Sequence, residues 1–220
     1  MRQISNITRS LRTMALAALA LTASLSTAVI TAPAIAAPEP SPVPTRWELE
    51  FRPGPLRFVA LDVEGQGVRH FAFLTYRVTN YSGADRLFAP SFELMTDDGR
   101  VVRSGRNIAP DTTDRILASL ENPLIQNQLQ IVDVLLQGRE NAKFGLVIFP
   151  LEDLTVDEIR VFASGFSGES TVYFTEDPDT GERVRHVLRK TMQLQYDLPG
   201  ELTAAGDDPI EATTQRWIMR

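Results

Sequence analysis

Gly165-Phe-Ser-Gly-Glu169 has the outline of a nucleophile elbow, and Asp177 or Asp179 followed by His186 continues it in serine-hydrolase order. An elbow needs glycine where Glu169 stands, because its strained turn leaves no room for a side chain, and it needs a strand-to-helix turn on a parallel sheet. Both flanks here read as strand, and the short span from Ser167 to His186 would ask one hairpin for a whole triad. A surface turn is the simpler expectation. His70 and His186 are the only histidines and the chain has no cysteine, too few nitrogen and sulfur ligands for a zinc site. Asp97-Asp98 and the group Asp177, Asp179 and Glu182 could offer oxygens to calcium, but they lack the loop spacing of calcium motifs. Glu152-Asp153 and Asp157-Glu158 are acid pairs of the kind glycoside hydrolysis uses, expected by chance in so acidic a chain. Arg183, Arg185 and Arg189, with Lys190 beside them, form the clearest basic cluster. On a strand the three arginines share one parity and therefore one face, a candidate anion patch. The plainer reading is a cross-strand charge match with the acidic hairpin tip. Asn80-Tyr-Ser82 fits a glycosylation sequon, though a turn accounts for it equally.

Composition narrows the partners. The 220 residues include 28 acids against 22 bases and are 43% hydrophobic. Arg2, Arg9 and Arg12 precede an uncharged run from Thr13 to Pro38 that ends in Ala34-Ile35-Ala36, the n-region, apolar region and small-x-small cleavage site of a secretory signal. A signal over residues 1–36 predicts an exported protein, periplasmic or extracellular, with no stable membrane span after cleavage. Beyond residue 36 the chain holds 19 bases against 28 acids. That balance argues against nucleic acid as partner.

A proline-rich spacer, residues 37–45, leads to the elements that must position these groups. Trp47 to Phe51, Leu56 to Val63, His70 to Asn80 and Ser91 to Thr96 alternate as strands, with a break at Pro53-Gly54-Pro55 and a hairpin turn at Asp97-Asp98-Gly99. On the strongest of them Leu74, Tyr76 and Val78 lie on one face, Phe71 and Phe73 on the other. Phe144 to Phe149 is apolar throughout, as in a strand covered on both sides. Strands at Asp157 to Phe162, Val172 to Phe174 and Val184 to Tyr196 come after it. Between the two runs of strands the period changes. Asn122-Pro123, then Ile125, Leu129, Val132 and Leu136, then Gly138, predicts a helix with caps at both ends, preceded by a shorter one near Thr113 to Leu120. The helical insert, about 113–137, presents Leu124, Gln128, Ile131 and Leu135 as a candidate interaction face, and Val132 toward the core. Short strands punctuated by turns predict a mainly β, antiparallel sandwich.

Tyr76-Arg-Val-Thr-Asn-Tyr-Ser-Gly83 followed by Pro90-Ser-Phe-Glu-Leu-Met-Thr-Asp-Asp-Gly99 resembles the front half of bacterial extracytoplasmic immunoglobulin-like modules. Gly145-Leu-Val-Ile-Phe-Pro150 followed by Glu158-Ile-Arg-Val161 is similar to their closing strand pair. The resemblance implies an immunoglobulin-like sandwich over residues 46–197, with the helical insert and an extra C-terminal hairpin as departures, and a C-terminal extension over 198–220. It carries over no catalytic residue. The expectation is a non-catalytic exported module with a structural or protein-interaction role, no cofactor, and an envelope protein or glycan as partner. The alternative is a binding protein for a small ligand or ion, housed between helix and sandwich.

Overall fold

The computed structural model describes residues 38–152, 155–198 and 208–220. The signal expected over 1–36, and most of the connection expected around Leu198 to Pro209, lie outside them. Twelve strands and one helix make up the rest: β1 (Glu50–Val63), β2 (Gly67–Thr79), β3 (Arg86–Phe88), β4 (Ser91–Thr96), β5 (Val101–Arg103), α1 (Pro110–Ser119), β6 (Ile125–Gln126), β7 (Asp133–Leu135), β8 (Lys143–Leu151), β9 (Glu158–Ser164), β10 (Ser170–Glu176), β11 (Arg183–Asp197) and β12 (Thr214–Met219). The fold is mainly β, and no sheet among the described residues closes into a barrel. One sheet runs β1-β2-β8-β6, with only β6 parallel to its neighbour. A second runs β10-β11-β9-β4-β5, and β12 joins it on β11.

The alternation in the sequence decides which side chains meet. Leu56 and Phe58 of β1, Leu74 and Tyr76 of β2, and Val147 and Phe149 of β8 form one buried cluster with Phe92, Leu94, Ile159, Val161, Leu194 and Tyr196 of the second sheet. The two sheets therefore pack face to face in a sandwich-like arrangement, each fully buried Leu or Phe stabilising it by about 1.5–3 kcal/mol. Residues of the opposite parity, Phe71, Phe73, Leu146 and Ile148, form a second cluster with Ile116 of α1, so the helix covers the outer side of the first sheet. This is why β8 is apolar at every position from Phe144 to Phe149. Gly145 stands opposite Tyr76 in the ladder, and a Cβ there would lie 2.3 Å from the phenol ring. Phe166 is fully buried at the centre of an aromatic knot, with Phe51 at 4.3 Å, Phe88 at 5.3 Å and Phe92 at 5.8 Å between ring centroids.

Three expectations change. The helical insert about 113–137 is helical only in its first part, as α1. From Asn122 onward the chain makes turns and two short strands instead of the predicted helix. Asparagine side chains decide this locally: Asn122 Oδ1 accepts the Leu124 N–H at 3.0 Å, and Asn127 Oδ1 accepts those of Leu129 and Gln130 at 3.0 and 2.9 Å. Such side-chain acceptors compete with helical carbonyls for the same donors. The apolar residues then satisfy several partners, with Ile125 beside β8 and Leu135 beside Arg86 of β3. Second, Pro53-Gly54-Pro55 does not end a strand; β1 runs through it with a register shift between Pro53 and Leu56. Third, the C-terminal segment belongs to the fold: β12 pairs with β11, and Ile210 and Leu56 exchange backbone hydrogen bonds of 2.8 and 2.9 Å.

Candidate functional site

Ladder register collects arginines onto the outward face of the second sheet. On β11 the inward residues are Leu194 and Tyr196, so Arg183, Arg185 and Arg189 point away from the core. Directly opposite residues of antiparallel strands share a face. Arg103 stands opposite Glu93, Arg160 opposite Gln195, and Arg216 opposite Gln193, all on that outward side. Arg220 continues β12 through paired backbone hydrogen bonds with Arg189. Seven arginines from β5, β9, β11, β12 and the chain's last residue thus occupy one face. Glu93 is shared between Arg103 at 3.0 Å and Arg220 at 2.7 Å, and Arg160 pairs with Glu158. Among the described residues no carboxylate forms an ion pair with Arg183, Arg185, Arg189 or Arg216. Glu176, at the acidic end of the ribbon, stands directly opposite Arg183 without an ion pair between them.

The far half of this face is a two-stranded ribbon. Toward Arg183, β11 keeps only β10 as a strand neighbour among the described residues. Val172 opposes Val187 and Phe174 opposes Arg185, and these three apolar side chains are exposed among the arginines. The Arg183 guanidinium lies 4.1 Å from the centre of the Phe174 ring, a cation–π contact that holds ring and charge together. At the tip Asp177 Oδ1 accepts the Asp179 and Thr180 N–H groups at 2.9 and 3.0 Å, which holds its carboxyl below the usual range. No family model, curated protein or solved structure matches this chain.

Lys190 parts from the arginines beside it. Its parity turns it inward, where its side chain is 3% exposed and its ammonium lies 2.8 Å from Glu48 Oε2 and 3.4 Å from Glu169 Oε2, with the Trp217 ring centre 5.3 Å away. The Glu48 contact is an ion pair without hydrogen-bond alignment. Glu169 Oε1 also accepts the Ser41 N–H at 2.7 Å, so the cluster pins the proline-rich segment to the root of the ribbon.

The elbow-like segment is a corner between β9 and β10. Gly165 adopts φ +91°, and a Cβ there would lie 2.8 Å from the Ala89 carbonyl oxygen. Gly168 lies against Trp47, where a Cβ would come within 2.4 Å of the indole nitrogen. Ser167 Oγ accepts the Glu169 N–H at 3.2 Å. His186 sits on the ribbon, hydrogen-bonded to Thr175 Oγ1 at 2.8 Å and stacked on Tyr173 at 4.8 Å. Serine and histidine are thus held in separate contacts. Asp97 accepts the Asp98 and Asp157 N–H groups, and Asp98 accepts from Thr96 and Arg100, so these carboxylates cap turns. No group of three or more His, Asp or Glu among the described residues is placed to hold a metal, and no described helix is long and apolar enough to cross a membrane. Asn80 is buried with its Nδ2 donating to the Ala84 and Leu135 carbonyls at 2.9 Å each, so folding withdraws the sequon nitrogen.

The interaction face expected from Leu124, Gln128, Ile131 and Leu135 is not brought together. Ile131 and Leu135 are fully buried in the sandwich core, Leu124 is 65% exposed, and Gln128 lines a cavity of about 300 Å³ beside α1. Val132, expected to face the core, is 46% exposed. A helical face requires a helix, and the asparagine turns remove it. The cavity and the remaining arginines of the sheet face escape sequence reading because their residues come from distant strands. Alternation within each strand signals which residues face outward, but not which strands stand together.

Proposed function

We propose that this chain is an exported, non-catalytic module of immunoglobulin-like architecture that binds an anionic glycan of the cell envelope through its arginine-bearing sheet face. One observation carries the reading: seven arginines gather on one face of a chain that, beyond its leader, holds 19 bases against 28 acids. Guanidinium groups are planar, permanently charged forks that match carboxylates and sulfates two oxygens at a time. A repeating polyanion presents such groups in series, and arginines spread along and across neighbouring strands offer them in series too. Exposed Phe174, Val172 and Val187 between the charges suit the apolar faces of sugar rings. The leader supports the exported setting. Residues 76–99 and 145–161 support the immunoglobulin-like architecture by resemblance, as does the packing of two largely antiparallel sheets. The separate local contacts of Ser167 and His186 support a role without chemistry.

The test is calorimetric titration of the protein with a polyuronate, with neutral dextran as control. The polyuronate binds, and added salt weakens binding because exposed charges are screened. The variant carrying Arg183→Glu, Arg185→Glu and Arg189→Glu loses affinity by roughly tenfold or more, since each exposed pair contributes about 0.2–1 kcal/mol and reversal adds repulsion. Equal affinity of variant and parent overturns the assignment of the face. The export limb is read by N-terminal sequencing of exported protein, which retention of Met1 contradicts.

A further inference from the structure

We infer that β10 is a self-pairing edge: two copies of this chain join antiparallel through it, centred on Tyr173, and their sheets become one. β10 ends the second sheet, with β11 on one side and no described strand on the other. The ladder shows which of its backbone groups are free. At its two ends the Lys190 N–H donates to the Glu169 carbonyl at 3.0 Å and the Asp177 N–H to the Glu182 carbonyl at 2.8 Å. Residues of an antiparallel strand bond alternately to its two sides, and the register from Ser170 to Glu176 has no shift, so Thr171, Tyr173 and Thr175 bond to β11. Ser170, Val172, Phe174 and Glu176 turn their N–H and C=O groups outward. Gly168 has the same outward parity, and its N–H meets the Trp47 carbonyl at 2.9 Å. Among the described residues the outer side is therefore filled at the root and open from Ser170 onward.

The order of side chains matches the strand to a second copy of itself. With Tyr173 on the two-fold axis, Val172 stands opposite Phe174 of the second copy, Thr171 opposite Thr175, and Ser170 opposite Glu176. A β-branched residue beside an aromatic one, and threonine beside threonine, are favourable cross-strand pairs, and no like charges meet. Val172 and Phe174 are 43% and 45% exposed in the single chain, so the pairing covers apolar surface. Edges that must stay single carry charge, proline or a bulge. β11 does so on its own open side, where Arg183 and Arg185 repel a copy, whereas β10 has no proline, bulge or basic residue. The register also carries each acidic tip, with Asp177 and Asp179, toward the root of the other copy. Exposed Arg46 stands there beside Trp47 and forms no ion pair among the described residues. Directly opposite residues share a face, so both rows of arginines come to lie on the same side of the joined sheet. The pairing does not rest on the glycan reading.

The experiment is sedimentation velocity from micromolar to millimolar protein, without any polyanion. An edge-to-edge contact is smaller than the roughly 800 Å² per partner of a standard interface, so the dimer forms at high concentration and dissociates on dilution. Val172→Pro removes one outward N–H from each copy and leaves the Thr171 and Tyr173 bonds to β11 in place, a position where an edge strand tolerates proline. It keeps the parent's far-ultraviolet dichroism and weakens association by roughly tenfold or more. Tyr173→Cys gives a chain without cysteine a single thiol, which meets its copy across the two-fold axis. Diamide oxidises the two thiols to a disulfide-linked dimer, and does so much more slowly for Tyr81→Cys, exposed elsewhere on the surface. A parent that stays monomeric to millimolar concentration overturns the proposal, as does a folded Val172→Pro that dimerises like the parent. So does cross-linking of Tyr173→Cys no faster than of Tyr81→Cys, a readout that stands even where proline unfolds the ribbon.

Discussion

Lys190 gives the sharpest test of how the ribbon is anchored. Lys190→Met keeps most of the aliphatic stem and deletes the charge that faces Glu48 and Glu169. Glu48 is 24% exposed and Glu169 11%, so neither carboxylate recovers full hydration when the ammonium is gone. Removing one partner of a buried ion pair costs about 3–5 kcal/mol, because the other is left uncompensated. Residual solvent access to Glu48 places the expected loss near the lower end, about 3 kcal/mol. For a domain of this size that lowers the thermal midpoint by about 6–12 °C. Urea unfolding followed by tryptophan fluorescence reads the change, since Trp217 stacks on the ammonium. The slope against urea stays constant and the midpoint falls. Combining Lys190→Met with Glu48→Gln and Glu169→Gln removes all three charges and recovers most of the loss, as neutral replacements of buried ion clusters do. A single variant within about 1 kcal/mol of the parent, or a triple variant no better than the single, refutes the reasoning.

Two further outcomes test the placement of particular residues. Ile131→Ala destabilises by about 2–5 kcal/mol, the range for deleting a fully buried aliphatic side chain, whereas Val132→Ala stays within about 0.5 kcal/mol; equal effects in urea titrations contradict the turn geometry. The Asp177 carboxyl is held below its ordinary range by two backbone N–H groups, so the folded tip keeps it ionised at pH values where the unfolded chain protonates. Tip order is therefore full above the usual aspartate range and is lost as pH falls through the lowered value. The Asp179 and Thr180 amide resonances report this directly, and titration of Asp177 at an ordinary aspartate value contradicts it.

Strand parity was legible where both sides of a strand find cover. Phe71 and Phe73 separate from Leu74 and Tyr76 because a helix buries one side and a second sheet the other, and the alternation of β2 records that division. The segment after Asn122 misled for a definable reason. Apolar residues at three- and four-residue spacing describe a helical stripe, but a chain that passes several partners in turn also leaves irregularly spaced apolar residues. Ile131 and Leu135 serve the sandwich core, Ile125 the second cluster, and Leu129 the cavity. Asn122-Pro123 fits a helix start, yet Asn122 and Asn127 both close side-chain turns onto the N–H groups that the helix would have used. The second asparagine, five residues on, was the discriminating signal: a helix has no use for a capping side chain inside its first two turns.

The arginine face shows where one strand's pattern stops being informative. Arg183, Arg185 and Arg189 were visible together because a single strand carries them at matching parity. Arg103, Arg160, Arg216 and Arg220 join them only through pairings among strands far apart in the chain. Parity also explains why Lys190, adjacent to Arg189, does the opposite work. One residue of shift along a strand exchanges a solvated face for the interior, and the buried position is occupied by two carboxylates that compensate it. The same alternation therefore sets one cation to fasten the root of the ribbon and leaves three on the solvated face. A shift of β11 by one residue would expose Lys190, Leu194 and Tyr196, so folding stability itself fixes which residues of the strand the surface displays.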